Sequence, residues 1–374
     1  MKQGSSVHKE LEEQVHVTVK IEVTTKEDRF ALRVWNVIQG LRTLRDTGMT
    51  REMEVFGILE DEVIIGIIDE ISTTCPDENM EAAILEDMQK SKTGNKKGGK
   101  NKLPELGPDQ RTLKDFLTSS QNGSVLEKNP AFLGTLQEER TRTHYIKDVK
   151  TRQSRTLPAP GSASRPTHMQ LMLYHVLLSN LASNSVSGTK IFERYRLKPD
   201  RPFSDKFIAE IANLNIASEW PTRENSDQTD RTDPLTELLE HNTLTSLWSL
   251  LIAEFALTFP TYHGQVAISP LLTAEFRTAA PRKRAESEDA AMEAAGTLIG
   301  QRSFPFDAAT IEKYIKDEMA WWKGQRETKG VDIEEAFKCR ICEFAEGCTW
   351  RATKIEEGLQ KMRLRREGRK RSEI

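Results

Sequence analysis

The stretch Tyr145-Ile146-Lys147-Asp148-Val149-Lys150-Thr151-Arg152 is rich in β-formers and carries a carboxylate and an ammonium two residues apart. Alternate residues of a strand share a face, so Asp148 and Lys150 point the same way while Val149 turns into the sheet. A carboxylate so placed can hold a hard cation, and the ammonium beside it can steer or activate a water. Aspartate-x-lysine alone is more often an exposed ion pair on an edge strand. A second acid sharpens the reading. Residues 63–71 are apolar on both faces, as a central strand should be, yet Asp69 and Glu70 interrupt the run. An acid in such a strand is costly unless something pairs with it, and a bound cation is an efficient partner.

Other side chains could join this chemistry. Gln170 and Tyr174 stand one turn apart on an apolar helical stretch, His168 to Leu178, where two polar residues with local partners are also an ordinary finding. His8 stands beside the Val7, Leu11, Val15 stripe of an early helix, where a packed or solvated histidine is the usual case. Three of the four cysteines, Cys339, Cys342 and Cys348, have the spacing C-x2-C-x5-C, with Cys75 far away. A disulfide scaffold would spread its cysteines through a small secreted domain; this clustering suits a metal or iron–sulfur centre in a reducing compartment. Such centres take four ligands, and spacing does not separate zinc from iron–sulfur. The basic end, with Lys361, Arg363, Arg365, Arg366, Arg369, Lys370 and Arg371, is either solvated or a contact for phosphates.

The elements that must position these groups follow from periodicity. Residues 17–24 alternate as a strand, and Ala31 to Arg45 reads as a helix decorated by Arg33, Arg42 and Arg45, either solvated or touching phosphate. Residues 52–59 and 63–71 form a hairpin through an acidic turn. The Asp148 strand, a Pro-bearing loop and the 168–178 helix make one α/β step, so that helix should cover the sheet. Further on, Lys190 to Leu214 reads as irregular helix and Leu235 to Phe259 as one helix. A strand pair or strand–turn–helix follows near 266–277, then a helix over Ala308 to Lys323 capped by Gly324.

With 374 residues, the chain suits two domains or one large α/β domain with insertions. Hydrophobic residues are 37%, charged residues 30% and mean hydropathy −0.57, on the polar side for a folded protein. A net charge of −3 does not advertise a nucleic-acid partner, so local charge has to do so. No window of about 18 uncharged apolar residues exists, which excludes a spanning helix. No G-x-x-x-x-G-K-[ST] motif is present. The expected organisation is residues 1–73 as the first part of the core, 74–130 as a low-complexity insertion without fixed structure, 131–280 as the rest of the core with a helical insert, 281–352 as helices and cysteine segment, and 353–374 as a basic tail.

Taken in order, His8, Gly66-Ile67-Ile68-Asp69, Asp148-Val149-Lys150, Gln170-x-x-x-Tyr174 and the three clustered cysteines resemble the RecB-like branch of the PD-(D/E)XK nucleases, in particular the fungal, mitochondrial form of exonuclease V. The phrases Thr24-Thr25-Lys26-Glu27-Asp28, Trp35-Asn36-Val37-Ile38-Gln39-Gly40-Leu41-Arg42, Lys150-Thr151-Arg152 and Trp322-Lys323-Gly324 are similar to that family too. The resemblance implies an α/β fold of restriction-endonuclease type: a mixed central sheet flanked by helices, a helical C-terminal half and an iron–sulfur region. It implies a hydrolase, a Mg²⁺-dependent exodeoxyribonuclease acting on single-stranded DNA, commonly 5′ to 3′, as a monomer in DNA repair and maintenance. Mitochondrial location is implied, with the nucleus as alternative, and a single-stranded-DNA-binding protein as a further partner; no membrane is involved. Catalysis would fall to Asp69, Asp148, Lys150, Gln170, Tyr174 and His8, with Asp69, Asp148 and His8 on Mg²⁺. Cys339, Cys342 and Cys348 would hold a 4Fe–4S cluster, and Arg152, Arg363, Arg365 and Arg366 would meet DNA. In the family the fourth cluster cysteine lies upstream of the early helix, so this chain reads as beginning inside a domain; Cys75 is a poor substitute. Two rivals fit the same residues: a non-catalytic DNA-binding adaptor with a zinc or iron–sulfur knuckle, and a nuclease domain that needs a helicase partner.

Overall fold

The computed structural model describes residues 23–94, 143–159, 161, 163–217, 234–262, 265–279 and 296–372. The expected early helix with His8, nearly all of the 17–24 strand, residues 95–142 and the 281–295 linker lie outside them. The chain divides into two compact units, Met1–Leu157 with Leu171–Asp307, and Pro158–Gln170 with Ala308–Ile374.

The first unit is built on a mixed sheet. Helix α1 (Lys26–Thr47) starts where the Thr25 hydroxyl accepts the Asp28 amide and stops at Gly48, whose φ of 80° suits glycine. It leads into the hairpin β1 (Met49–Leu59) and β2 (Glu62–Ser72), closed at Glu60 and Asp61, both at positive φ as a tight two-residue turn requires. Helix α2 (Glu78–Gly94) precedes β3 (His144–Arg152); α3 (Arg165–Ala182), α4 (Gly188–Arg194), α5 (Asp205–Ala217), α6 (Pro234–Glu240) and α7 (Leu244–Thr258) follow. A short pair, β4 (Thr261–Tyr262) and β5 (Gln265–Val266), precedes β6 (Ile268–Thr278) and β7 (Leu298–Pro305). The sheet order is β1-β2-β3-β6-β7, with β3 and β6 parallel and the other neighbours antiparallel. The parallel pair is joined through helices, as parallel strands require.

Helices cover both faces of the hairpin. Phe56 of β1 meets Phe30 of α1 at 5.7 Å and Trp248 of α7 at 5.9 Å between ring centres. Its neighbour Gly57 faces the other way, and there Leu177 of α3 comes so close that a Cβ on Gly57 would lie 2.2 Å from it. The helix after Asp148 therefore covers the sheet, but over β1 and β2.

Four expectations need correction. Residues 298–305, expected to lie among helices, form the strand β7 beside β6. The acidic residues after Cys75 are a helix rather than structureless insertion: the Asp77 side chain accepts the Met80 amide at 3.0 Å, and the Tyr145 hydroxyl donates to Glu81 at 2.6 Å. The single helix over 235–259 is two, because Thr243 and Ser246 form a reciprocal capping box that starts α7 afresh. The arginines of α1 are partly exposed but ion-paired within the fold, rather than simply solvated or held for phosphate. Arg33 pairs with Glu54, Arg42 grips Glu237 and Glu254, and Arg45 takes Glu254 and Thr258, fastening α1 to β1, α6 and α7.

His175 of α3 is packed face to face on Phe306 at 4.1 Å, and neither ring nitrogen has a hydrogen-bond partner among the described residues. Burial pulls its pKa down to about 4. The unfolded chain, with an ordinary value near 6.5, binds the proton first, so stability is complete above about pH 6.5 and falls as pH drops towards 4, by about 3 kcal/mol. His144, also lowered by burial, adds to the same acid limb. Urea unfolding of a His175→Leu protein at pH 7 and pH 4.5 should show a clearly smaller pH-dependent loss than the parent; an equal loss would rule His175 out as its source.

The second unit holds α8 (Ala308–Trp322), a 3-10 turn (Ile333–Arg340) and α9 (Thr349–Ser372). Gly324, at φ 68°, closes α8 as expected: Gln325 donates to the Ala320 carbonyl and Gly324 to that of Trp321.

Candidate active site

The site is made where β2 and β3 part. Their backbone pairing covers Ser72↔Tyr145, Ile71↔Ile146 and Glu70↔Lys147, and stops there. The next facing positions are Asp69 and Asp148. Beyond them β3 stays paired to β6 as far as Arg152, and β2 to β1 as far as Glu62. With β2 drawn away, the Val149 amide takes a side chain as its acceptor: the Asp69 carboxylate, at 2.6 Å. The two acids, 79 residues apart in the chain (148 − 69), are thus neighbours, one held by the amide next to the other.

Asp148 is not part of an exposed pair on an edge strand. β3 is the central strand of five, and the Asp148 side chain is 1% exposed. Lys150, at 33%, sets its ammonium 3.0 Å and 2.9 Å from the two carboxylate oxygens. A buried carboxylate needs such compensation, because desolvation otherwise favours its neutral form. Glu70 also has protein partners, Arg51 at 2.9 Å and Lys147 at 2.6 Å, so a cation is not needed to explain it.

Tyr174 of α3 lies over the hairpin, on the face of β2 that alternation gives to Gly66, Ile68 and Glu70. Its ring lies on Gly66, three residues before Asp69, and a Cβ there would be 2.6 Å from the ring. Gln170 sits one turn earlier on α3, half-buried. Arg152 ends β3 with its guanidinium 5.9 Å from the Phe276 ring centre. His8 lies outside the described residues.

Residues 1–351 match the family model of exonuclease V, described as a 5′ deoxyribonuclease. The chain belongs to the exonuclease V family. A zebrafish (Danio rerio) exonuclease V is 23% identical over 352 residues, which cover 94% of this chain and 62% of the zebrafish protein. The chain therefore spans under two thirds of that relative's length.

In this exonuclease V family member the clustered cysteines lie in the second unit. Cys339 is the last residue but one of the 3-10 turn, Cys342 is exposed, and the Cys348 carbonyl accepts the Ala352 amide at the start of α9. Ile341 and Phe344, on either side of Cys342, are 87% and 79% exposed. Among the described residues no three Cys, His, Asp or Glu side chains are gathered as metal ligands. Cys75 belongs to the first unit, where burial and the Glu81 carboxylate push its thiol pKa up. Arg363, Arg365 and Arg366 are exposed on α9. No helix among the described residues is long and apolar enough to cross a membrane.

The ion pair of Lys147 with Glu70 is a feature that sequence reasoning missed. Each stands next to one of the two acids, and alternation turns both to the opposite face. The available signal was their position: an acid and a lysine flanking the acids in strands that had to pair.

Proposed function

We propose that this chain is a metal-dependent exodeoxyribonuclease of PD-(D/E)XK type that cuts single-stranded DNA from its 5′ end. The observation that carries this reading is the Asp69 carboxylate on the Val149 amide, beside buried Asp148, where two strands separate. Two carboxylates from facing strands are an all-oxygen donor set, which fits a hard divalent cation such as Mg²⁺. Asp69, Asp148 and the Val149 carbonyl would hold it, with His8 assisting. When bound, the ion would lower the pKa of a water and offset charge developing on the phosphate.

The chain's own groups would do the rest. Lys150, still one-third exposed, would orient the attacking water or meet the growing phosphate charge. Tyr174 and Gln170 would fix Lys150 and the scissile strand. Arg152, Arg363, Arg365 and Arg366 would contact the DNA backbone, making affinity fall with salt. Cys339, Cys342 and Cys348 would give three thiolates to a 4Fe–4S cluster. Exposed Ile341 and Phe344 support this, since the loop has little apolar core of its own and a metal centre would organise it. The protein would act as a monomer on mitochondrial DNA, with the nucleus as alternative and a single-stranded-DNA-binding protein as companion.

The test uses labelled single strands with Mg²⁺, blocked at either end by a bulky protein. Blocking the 5′ end should stop digestion, blocking the 3′ end should not, and chelation should abolish cutting. Strands that are bound but never shortened would overturn the proposal.

A further inference from the structure

On the sheet face opposite Asp69 and Asp148, a row of charges crosses four strands and ends on a glutamine of the fifth. Arg51 of β1 pairs with Glu70 of β2 at 2.9 Å, and Glu70 with Lys147 of β3 at 2.6 Å. Lys147 also lies 3.6 Å from Glu275 of β6. Glu275 in turn takes Arg277 at 2.6 Å and Gln301 of β7 at 3.1 Å. These groups are largely withdrawn from water: Glu70 and Glu275 are 6% exposed and Lys147 18%. A buried ionic row is seldom a source of net stability, because desolvation cancels much of the attraction. Where such rows fix something, it is register.

The two sides of Lys147 differ in what else holds them. On the β6 side the backbone ladder runs to Arg152, so Glu275 adds to a junction already secured. On the β2 side only three residue pairs exist, and Glu70↔Lys147 is the last before the strands diverge. Asp69 directly precedes Glu70, and Asp148 directly follows Lys147. Whatever fixes Glu70 against Lys147 therefore fixes the spacing of the two carboxylates, one residue further on.

We propose that the Glu70–Lys147 ion pair is a positioning device that pins β2 to β3 at the fork and sets the Asp69–Asp148 spacing for a divalent cation. This rests on the metal-dependent reading above. The two residues touch neither DNA nor ion; they act through the backbone of the acids beside them.

The experiment measures Mn²⁺ binding by the full chain without DNA, from the free-ion paramagnetic resonance signal, alongside thermal unfolding. Glu70→Gln should weaken Mn²⁺ binding about tenfold, as loss of an outer partner of a metal site commonly does. Glu275→Gln, which strips the same lysine on its secured side, should shift affinity less than about twofold while lowering the melting temperature comparably. Lys147→Arg, which keeps the charge, should bind Mn²⁺ as the parent does and serves if Glu70→Gln does not fold. Parental affinity in Glu70→Gln, or equal weakening in Glu70→Gln and Glu275→Gln, would overturn the pin. Absence of Mn²⁺ binding by the parent, or binding that survives Asp148→Asn, would instead remove the metal site on which it rests.

Discussion

An Asp148→Asn protein is expected to lose Mg²⁺-dependent cleavage of single strands by about two to three orders of magnitude while staying folded. Asparagine keeps the shape of the side chain and removes the charge that would hold the cation. The substitution leaves Lys150 without this carboxylate, but its side chain is one-third exposed and can hydrate. Lys150→Met is the instructive contrast. It should also cripple cleavage, yet cost more stability, because it takes the cation away from a carboxylate 1% exposed. The ordering of melting temperatures, parent at or near Asp148→Asn and both above Lys150→Met, is checked by thermal unfolding. Rates come from single-turnover digestion. Undiminished Mg²⁺-dependent cleavage by both variants would end the assignment of Asp148 and Lys150 as the groups that cut. A Lys150→Met protein as stable as the parent would show that Asp148 does not depend on that ammonium.

The same two residues show what could be read from the chain unaided. Alternation alone puts Asp148 and Lys150 on one side of a strand, and the apolar run ending in Ile71 announces a buried neighbour. Both strands are present, as are the hairpin turn and the Gly324 cap. That Asp69 lies beside Asp148 was implied by the family resemblance but not by the residues alone, because antiparallel register depends on where two strands are brought together, across a stretch of more than 70 residues. β7 was missed for a related reason. Gln301, Arg302 and Ser303 carry no apolar alternation, and the strand exists because β6 offers it a partner edge. Helix α2 was hidden by its acidic composition, which resembles unstructured sequence until the Asp77 cap and the Tyr145 hydroxyl are in place. The arginines of α1 look like surface charge in one dimension. Only the fold brings Glu237 and Glu254, some 200 residues away, to meet them.

Gly66→Ala should be nearly as damaging as losing an acid, although it adds one methyl group. The added Cβ would lie 2.6 Å from Cε1 and 3.1 Å from Cδ1 of Tyr174, and 3.6 Å from Val55 Cγ2. No carbon contact of 2.6 Å survives, so the ring must swing away or α3 must lift from the hairpin. Overpacking of this kind costs about 1–3 kcal/mol. Under the proposed role of Tyr174 in positioning reactants, displacing it by about an ångström would cost a further hundredfold in rate. Gly57→Ala provides the comparison, since its Cβ would meet Leu177 of the same helix at 2.2 Å without touching Tyr174. If Tyr174 matters only as packing, the two glycine variants should lose rate in proportion to their loss of stability. If its position serves the reaction, Gly66→Ala should lose far more rate at equal stability. The pair Gly66→Ala and Tyr174→Ala should then be strongly non-additive: with the ring gone, the extra methyl has nothing to displace, and Gly66→Ala should cost little further in stability or in rate.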